Sequence, residues 1–504
     1  MVSTSSPNAV EVDLSHHLSS EARARKPNPM KAIWKLTRRK PNMVSLANGD
    51  PHFSLYPIRR VEFEMASVQE ADPVATWRKG SPSAPSTKFV SSSYEPCALP
   101  LQTALQYSHG AGLPDAQRVV TELTNYYHSP PDHICTLALG NSDGIAKCFR
   151  ILGEPGDHFL ADEFSFSSIT NAPLSQGIKW VGIKMDEGGM IPEELEKVLA
   201  TWDPARGRRP HVLYTVPCGQ NPTGSTLSIE RRRRIYEISQ RYDLVIIEDD
   251  PYYFLQYDSS PSTSTTPSAD TPFVPSFLSL DVDGRVLRVD SFSKIMAPGM
   301  RLGWITSSAL FHEHLVSYTD SSTHHPHGFG QMLITEMLAG PNGWRIDGFD
   351  RWVRSLRDEY HRRRDLFLDL FRREVAATGL ARAGPPEAGM FLWIRVEIEK
   401  HPRYRADFRR VSGDAKAPRT NVAELMDELF ERCLDGGLVI MPASIFALSA
   451  DPKYDDVEDP VEDRLNYLRA TFAGTEEAME QGLAILGQTL REFFADEEKP
   501  MAIA

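Results

Sequence analysis

Between residues 158 and 307 the chain repeats one pattern, short apolar and β-branched runs with amphipathic stretches set between several of them. HFLADEF (158–164), IKWVGIKM (178–185), HVLYTVP (211–217), LVIIEDD (244–250), VLRVDSF (286–292) and LGWITS (302–307) each read as a buried strand. PEELEKVLATW (192–202) has proline in its first turn, and SIERRRRIYEISQRY (228–242) opens on serine, so both read as helices. Strand–helix alternation of this kind implies an α/β fold, a large domain with a mostly parallel sheet between helices.

After residue 350 the pattern changes. A charged helix (354–375) leads into the alternating segments MFLWIRVEI (390–398) and GLVIMPASIF (437–446). LRATFA (468–473) and a last helix (475–494) complete a smaller α+β domain. The expected division is a flexible arm over 1–27, an N-terminal part of the small domain over 28–95, the large domain over 96–350 and the C-terminal small domain over 351–504. SSPSTSTTPSADTP (259–272) reads as a surface loop insertion, and RYRADFRRVSGDAKAPRT (403–420) as a second insertion. The sequence has no internal repeats.

Composition excludes several function classes. The balance of 55 basic and 68 acidic residues, net −13, argues against a nucleic-acid surface. No apolar run approaches the roughly 20 residues that span a bilayer. The first residues carry no basic flank followed by an apolar core, and the last four, MAIA, are no peroxisomal address. Five scattered cysteines without CxxC spacing suggest reduced thiols and a cytoplasmic protein.

Five segments carry chemistry. SFSKIMAPGMRLGW (291–304) places Lys294 after Ser291 and Ser293 and before Arg301. Hydroxyls and a guanidinium so close together suit a phosphate, and a lysine beside a phosphate suits a phosphorylated aldehyde cofactor. A Pro-Gly turn with solvated charges is the plainer alternative. In IIEDDPYYFLQ (246–256) Asp249 ends an apolar strand, with Tyr252 three residues on; a buried carboxylate there needs a cation, such as a protonated pyridine nitrogen. Asn221 in YTVPCGQNPTGSTL (214–227) could donate to a phenolate oxygen that Tyr252 shares, or mark an ordinary Asn-Pro turn. Asn141 and Ser142 open a helix in LALGNSDGIAKCF (137–149), where N–H groups could meet a phosphate. Arg469 in LNYLRATFA (465–473) suits a bidentate carboxylate, with a structural salt bridge as the alternative.

Together these segments resemble the fold-type I pyridoxal-phosphate aminotransferases, and most closely the branch of fungal aromatic amino-acid aminotransferases and kynurenine/α-aminoadipate aminotransferases. The resemblance runs from about Pro27 to Phe494, with SFSK…GxRxGW, NPTG, EDDPYY and LRATF in the family's order. It implies pyridoxal 5'-phosphate as cofactor, Lys294 as the Schiff-base lysine and Asp249 as the partner of the ring nitrogen. Asn221 and Tyr252 match donors to the ring oxygen, and Phe166 an aromatic stacked on the ring. Ser291, Ser293, Arg301, Asn141 and Ser142 match phosphate ligands. Tyr107 matches a tyrosine that reaches the neighbouring subunit's phosphate, which implies a homodimer with shared sites. Arg469 matches the clamp on the substrate α-carboxylate, and Gly49 a substrate-binding glycine. The side-chain pocket would be lined by Tyr56, Phe391 and Phe446, with Lys31 at its edge. The glycine turn reads NSD where the kynurenine-type branch has SQQ, Phe166 stands for a more usual tyrosine, and Lys31 stands where that branch carries arginine.

The implied activity is ping-pong transfer of the amino group of an aromatic L-amino acid to 2-oxoglutarate or an aryl-pyruvate. A secondary-metabolism enzyme making an aryl-pyruvate, or a kynurenine/2-aminoadipate aminotransferase, is the alternative within the family. Decarboxylases and lyases share the fold, and the carboxylate clamp Arg469 argues against them. A cofactor-binding transcription regulator would need a basic helix-turn-helix, which the first ~90 residues lack. THHPH (323–327) lacks helical metal-ligand spacing and reads as structural, so no metal is expected. YSHGAGLP has no preceding strand and no third glycine, which excludes a dinucleotide fingerprint.

Overall fold

The computed structural model describes residues 12–26, 28–29, 46, 49–80, 84–257, 272–409, 418–448 and 459–495. The strands used below, in chain order, are β1 (Arg60–Ala66), β2 (Ser86–Ser92), β3 (Ile134–Ala138), β4 (His158–Asp162), β5 (Lys179–Ile183), β6 (Val212–Thr215) and β7 (Val245–Asp249). They continue with β8 (Val286–Ser291), β9 (Gly303–Ser307), β10 (Ala381–Arg382), β11 (Phe391–Val396), β12 (Met441–Pro442) and β13 (Tyr467–Thr471). The helices used below are α1 (Pro114–His128), α2 (Asn141–Leu152), α3 (Pro192–Ala200), α4 (Ile229–Tyr242), α5 (Ala309–Ser321), α6 (Gly328–Ala339), α7 (Arg345–Glu374), α8 (Val422–Asp435) and α9 (Glu476–Ala495).

All six apolar runs are strands of one seven-stranded sheet, ordered β3-β9-β8-β7-β6-β4-β5. Every residue of β4, β6, β7, β8 and β9 is buried, as strands covered on both faces must be. Neighbours pair in parallel except at β9, which runs antiparallel to β8 and β3. The link from β8 to β9 has only the residues 292–302, short of the dozen or so a crossover requires. The antiparallel turn has a consequence for the site: Gly303, the first residue of β9, lies opposite Ser291, the last of β8, and opposite Ala138, the last of β3. Segments leaving β3, β6, β7 and β8 and the one entering β9 therefore meet at one rim, where open α/β sheets bind ligands.

Helices α3 and α4 form where expected, and Ser228 caps α4 by accepting from Arg231 N. The second sheet, β10-β11-β13-β12, is antiparallel, and α7 and α9 pack against each other beside it. Two expectations need correction here. Helix α7 starts at Arg345 rather than 354; Gly343 and Gly348 at its start give a loop-like composition. GLVIMPASIF supplies only the short β12 before a 3-10 turn at Ala443–Ile445, since Pro442 has no N–H for a longer ladder.

The N-terminal region differs further. Strands β1 and β2 form a hairpin whose Val61, Phe63, Met65 and Phe89 pack with Leu113, Val120, Met332 and Phe349 of α1, α6, α7 and their loops. The core of the C-terminal sheet, Leu392, Ile394 and Leu468, belongs to another cluster. Strands β1 and β2 thus pack on helices of the large domain, while the short helix between them, Pro73–Arg78, meets α7, with Val74 N donating to Ser355 Oγ at 2.9 Å and Arg78 pairing with Glu359 at 2.7 Å. Residues 12–26, expected to be part of a mobile arm, are docked. Leu14, Leu18 and Ala22 are buried in the main core, and Ser19 N donates to Ile151 O at 2.7 Å. Residues 1–11, 258–271 and 410–417, which take in part of the expected arm, nearly all of the first insertion and part of the second, lie outside the described residues. No helix among the described residues is long and apolar enough to cross a membrane.

Candidate active site

Asp249 ends β7 at the rim and is 5% exposed. Its two oxygens are held separately: Tyr214 OH donates to Oδ2 at 2.8 Å, and Asn141 Nδ2 donates to Oδ1. Burial pushes its carboxyl up to about 6, while those two hydrogen bonds favour the charged form. Among the described residues no cation is bonded to the carboxylate, whose side-chain partners are Tyr214 and Asn141. Asn141 opens α2, and its Oδ1 is buried with no hydrogen-bond partner.

Across the rim, Ser291 Oγ donates to Ser293 Oγ at 2.8 Å, and Arg301 Nη1 donates to Ser293 Oγ at 3.3 Å. Arg301 also donates to Leu139 O at 2.9 Å, just before α2. Gly140 is required there: its φ is +86°, and a Cβ would stand 2.5 Å from Arg301 Nη2. Hydroxyls, a guanidinium and the uncapped N-terminus of α2, where Ser142 is exposed, thus share one corner. Lys294 is half-buried, and its amine is held below the ordinary lysine range by burial and by the charges of Arg301 and Arg469, against the pull of Asp249.

The opposite wall comes from the C-terminal sheet. Arg469 of β13 donates to Asn221 Oδ1 at 2.7 Å, and its guanidinium lies 4.6 Å from the Phe391 ring centroid and 4.7 Å from that of Phe446. Tyr252 is buried and meets Phe391 edge-on at 5.7 Å; its hydroxyl stays protonated because of burial and the nearby Asp249. Trp393, paired with Arg469 across the sheet, stacks on Tyr467 at 5.2 Å. A seam joins the wall to the rim, where Ser165 N donates to Phe446 O at 2.9 Å beside the half-buried Phe166.

The structure therefore brings together Asn141, Asn221, Asp249, Tyr252, Ser291, Ser293, Lys294, Arg301, Phe391, Phe446 and Arg469. Others lie elsewhere in the chain. Tyr107 is 56% exposed, with its ring edge-on to His324 and His325 of the THHPH segment. Tyr56 OH donates to Pro51 O at 3.2 Å, an oxygen that Gln106 also meets, so Tyr56 sits with the Tyr107 segment rather than against Phe391 and Phe446. Gly49 is exposed with open space around it, and Lys31 lies outside the described residues. Sequence reasoning missed Tyr214. Its signal was available, because a tyrosine inside a fully apolar strand needs a partner for its hydroxyl. It also missed Arg288, which on the other side of β8 is buried among Glu248, Asp250 and Asp290 at 2.8–3.1 Å.

The residue set tests well against the implied cofactor. A buried carboxylate without a cation, an orphaned Asn141 oxygen and a hydroxyl–guanidinium corner are what a protonated, phosphorylated ring would satisfy. Residues 81–486 match the family described as aminotransferase class I and II. The chain belongs to that family. Among relatives of this aminotransferase, L-tyrosine:2-oxoglutarate aminotransferase of Serpula lacrymans is 51% identical, with 97% of this chain and 98% of the relative covered. L-tyrosine:2-oxoglutarate aminotransferase of Tapinella panuoides is 48% identical, with 97% of each covered. Among solved structures, aminotransferase Aro8 from Candida albicans superimposes with a TM-score of 0.82 at 30% identity, covering 96% of this chain and 99% of that one.

Proposed function

We propose that this aminotransferase transfers the amino group of an aromatic L-amino acid, tyrosine foremost, to 2-oxoglutarate or an aryl-pyruvate, using pyridoxal 5'-phosphate. The observation that carries the reading is the convergence of Asp249 and Lys294 at the rim with Arg469 of the facing wall, supported by the two relatives named L-tyrosine:2-oxoglutarate aminotransferases. When bound, the cofactor supplies an electron sink for the pair left on the substrate Cα. Ser291, Ser293, Arg301 and the N-terminus of α2, with Asn141 and Ser142, would hold its phosphate. Asp249 would keep a proton on the ring nitrogen, Asn221 and Tyr252 would hold the ring oxygen, and Phe166 would cover one face.

Arg469 would grip the substrate α-carboxylate bidentately, replacing its present bond to Asn221. Its fixed fork retains that carboxylate and so favours transamination over decarboxylation. The Lys294 amine, lowered by burial and two neighbouring guanidinium groups, is suited to take the Cα proton and return it one atom away. Phe391 and Phe446 offer flat apolar surfaces for an aromatic side chain.

The exposed Tyr107 is suited to complete the site of a second copy, so we assign a cytoplasmic homodimer with a cofactor-binding domain over 96–350 and a smaller domain over 351–504. A fully active monomer in sedimentation would remove the shared-site part. The substrate assignment is tested by a single-turnover screen of twenty amino acids, following loss of the pyridoxal absorbance and gain of the pyridoxamine form. Tyrosine, phenylalanine and tryptophan should react fastest; aspartate or alanine outrunning all three would refute it.

A further inference from the structure

The docked N-terminal segment is tied down by polar side chains that the proposed reaction leaves unused. His17 is 1% exposed; its Nε2 lies 3.1 Å from Asp243 Oδ1 and its Nδ1 lies 3.0 Å from His211 Nδ1. His211 is buried too, and its Nε2 lies 3.3 Å from Asp157 Oδ2. Asp243, the left-handed residue that ends α4, also meets His16 Nε2 at 2.6 Å on the solvent side.

The line Asp243–His17–His211–Asp157 contains three close approaches between polar atoms, and each needs a hydrogen between them. A neutral imidazole carries one N–H. Two neutral rings fill two gaps and leave the third with lone pairs facing each other. An ion can fill that gap at the Asp243 end, because Asp243 is 46% exposed and the other three groups are enclosed. His17 Nδ1–H then donates to His211, and His211 Nε2–H donates to Asp157. The lone pair of His17 Nε2 is left facing Asp243, with the His16 ring beside it.

We propose that His16, His17 and Asp243 bind one divalent transition-metal ion of the zinc class, which fills this deficit and clamps residues 12–24 to the end of α4. The three ligand atoms lie within 4.8 Å of one another, and among the described residues this is the one such group of His, Cys, Asp or Glu. Two imidazoles and a carboxylate form a donor set that zinc accepts at about 2.0–2.2 Å, with the fourth position open to water. The support behind a metal-bound histidine is already built, since His211 and Asp157 orient the His17 ring through its other nitrogen. Arg285 approaches Asp243 Oδ1 at 3.6 Å, but its stronger bonds go to Asp283 Oδ2 at 2.9 Å and Leu244 O at 2.8 Å. Sequence spacing hides the site, because His16 stands 227 residues from Asp243.

The test uses holoenzyme dialysed against a chelator, then titrated with zinc by calorimetry near neutral pH, with thermal melts alongside. One equivalent should bind per chain and raise the melting temperature. His16→Ala, at an exposed position, and Asp243→Asn, of equal size, should each weaken binding about tenfold or more. Cobalt in place of zinc should give visible absorption in the wild type and lose it in His16→Ala. Absence of zinc binding to the wild type, or equal binding to the wild type and His16→Ala, overturns the proposal.

Discussion

At the rim of the central sheet, Asp249 is enclosed and held by two donors; at the C-terminal sheet, Arg469 is half-buried, hydrogen-bonded to one side chain and flanked by two rings. The rim groups are fixed by backbone ends and by each other, so their positions do not depend on substrate. The wall groups are long or flat side chains whose best partner is the substrate itself. Under the proposed assignment, damage to the rim should appear in kcat, and damage to the wall in KM and in the choice between substrates.

Lys294→Ala should cost most. It removes the proton carrier, a contribution of about 10²–10⁴-fold, together with covalent attachment. Turnover of tyrosine with 2-oxoglutarate should therefore fall by about 10⁴-fold or more. A loss under tenfold would place the chemistry elsewhere.

Asp249→Asn should lower kcat by about 10²–10³-fold, the range for a lost electrostatic partner of a reacting group. It also has a pH signature in the cofactor-free protein. Burial raises the folded carboxyl from 3.8 to about 6, so between those values the folded chain keeps a proton that the unfolded chain releases. Stability is then lost as pH rises from about 4 to about 6, by about 3 kcal/mol. Cofactor-free Asp249→Asn should lack that component when denaturation midpoints are compared across the range. An unchanged pH profile would mean that the carboxylate already has a cation.

Arg469→Lys keeps the charge and loses the fork. A charge-assisted hydrogen bond contributes about 1.5–3 kcal/mol, so kcat/KM should fall about tenfold to a hundredfold, mainly through KM for both amino and oxo acid. A fall in kcat at constant KM would assign Arg469 to the rim's role and erase the contrast. Phe446→Leu should have the smallest effect, about two- to tenfold against tyrosine relative to leucine as donor, the worth of one aromatic contact. No change in that ratio would make Phe446 a core residue only.

The rim was legible because its residues stand at strand ends and turns, where local sequence controls position. Asp249 closes an apolar run, and Lys294 follows another. The wall was half legible. Arg469, Phe391 and Phe446 are together as expected, while Tyr56 sits with the Tyr107 segment, a placement that depends on how distant loops pack. Strands β1 and β2 escaped notice because Glu, Lys and Ser on their exposed face dilute the apolar signal, although RVEFEMA alternates with period two. The docking of residues 12–24 could not be read at all, since its partners on α2, α4 and α5 lie more than 100 residues away.

Under the proposed assignment Lys294 holds the cofactor beside Asp249 and Arg469. Holoenzyme should be reduced with borohydride, digested, and its peptides mapped by mass spectrometry for a pyridoxyl adduct. The adduct should lie on the peptide containing Lys294 and be absent from Lys294→Ala. An adduct on another lysine, or an undiminished one in the variant, would contradict it.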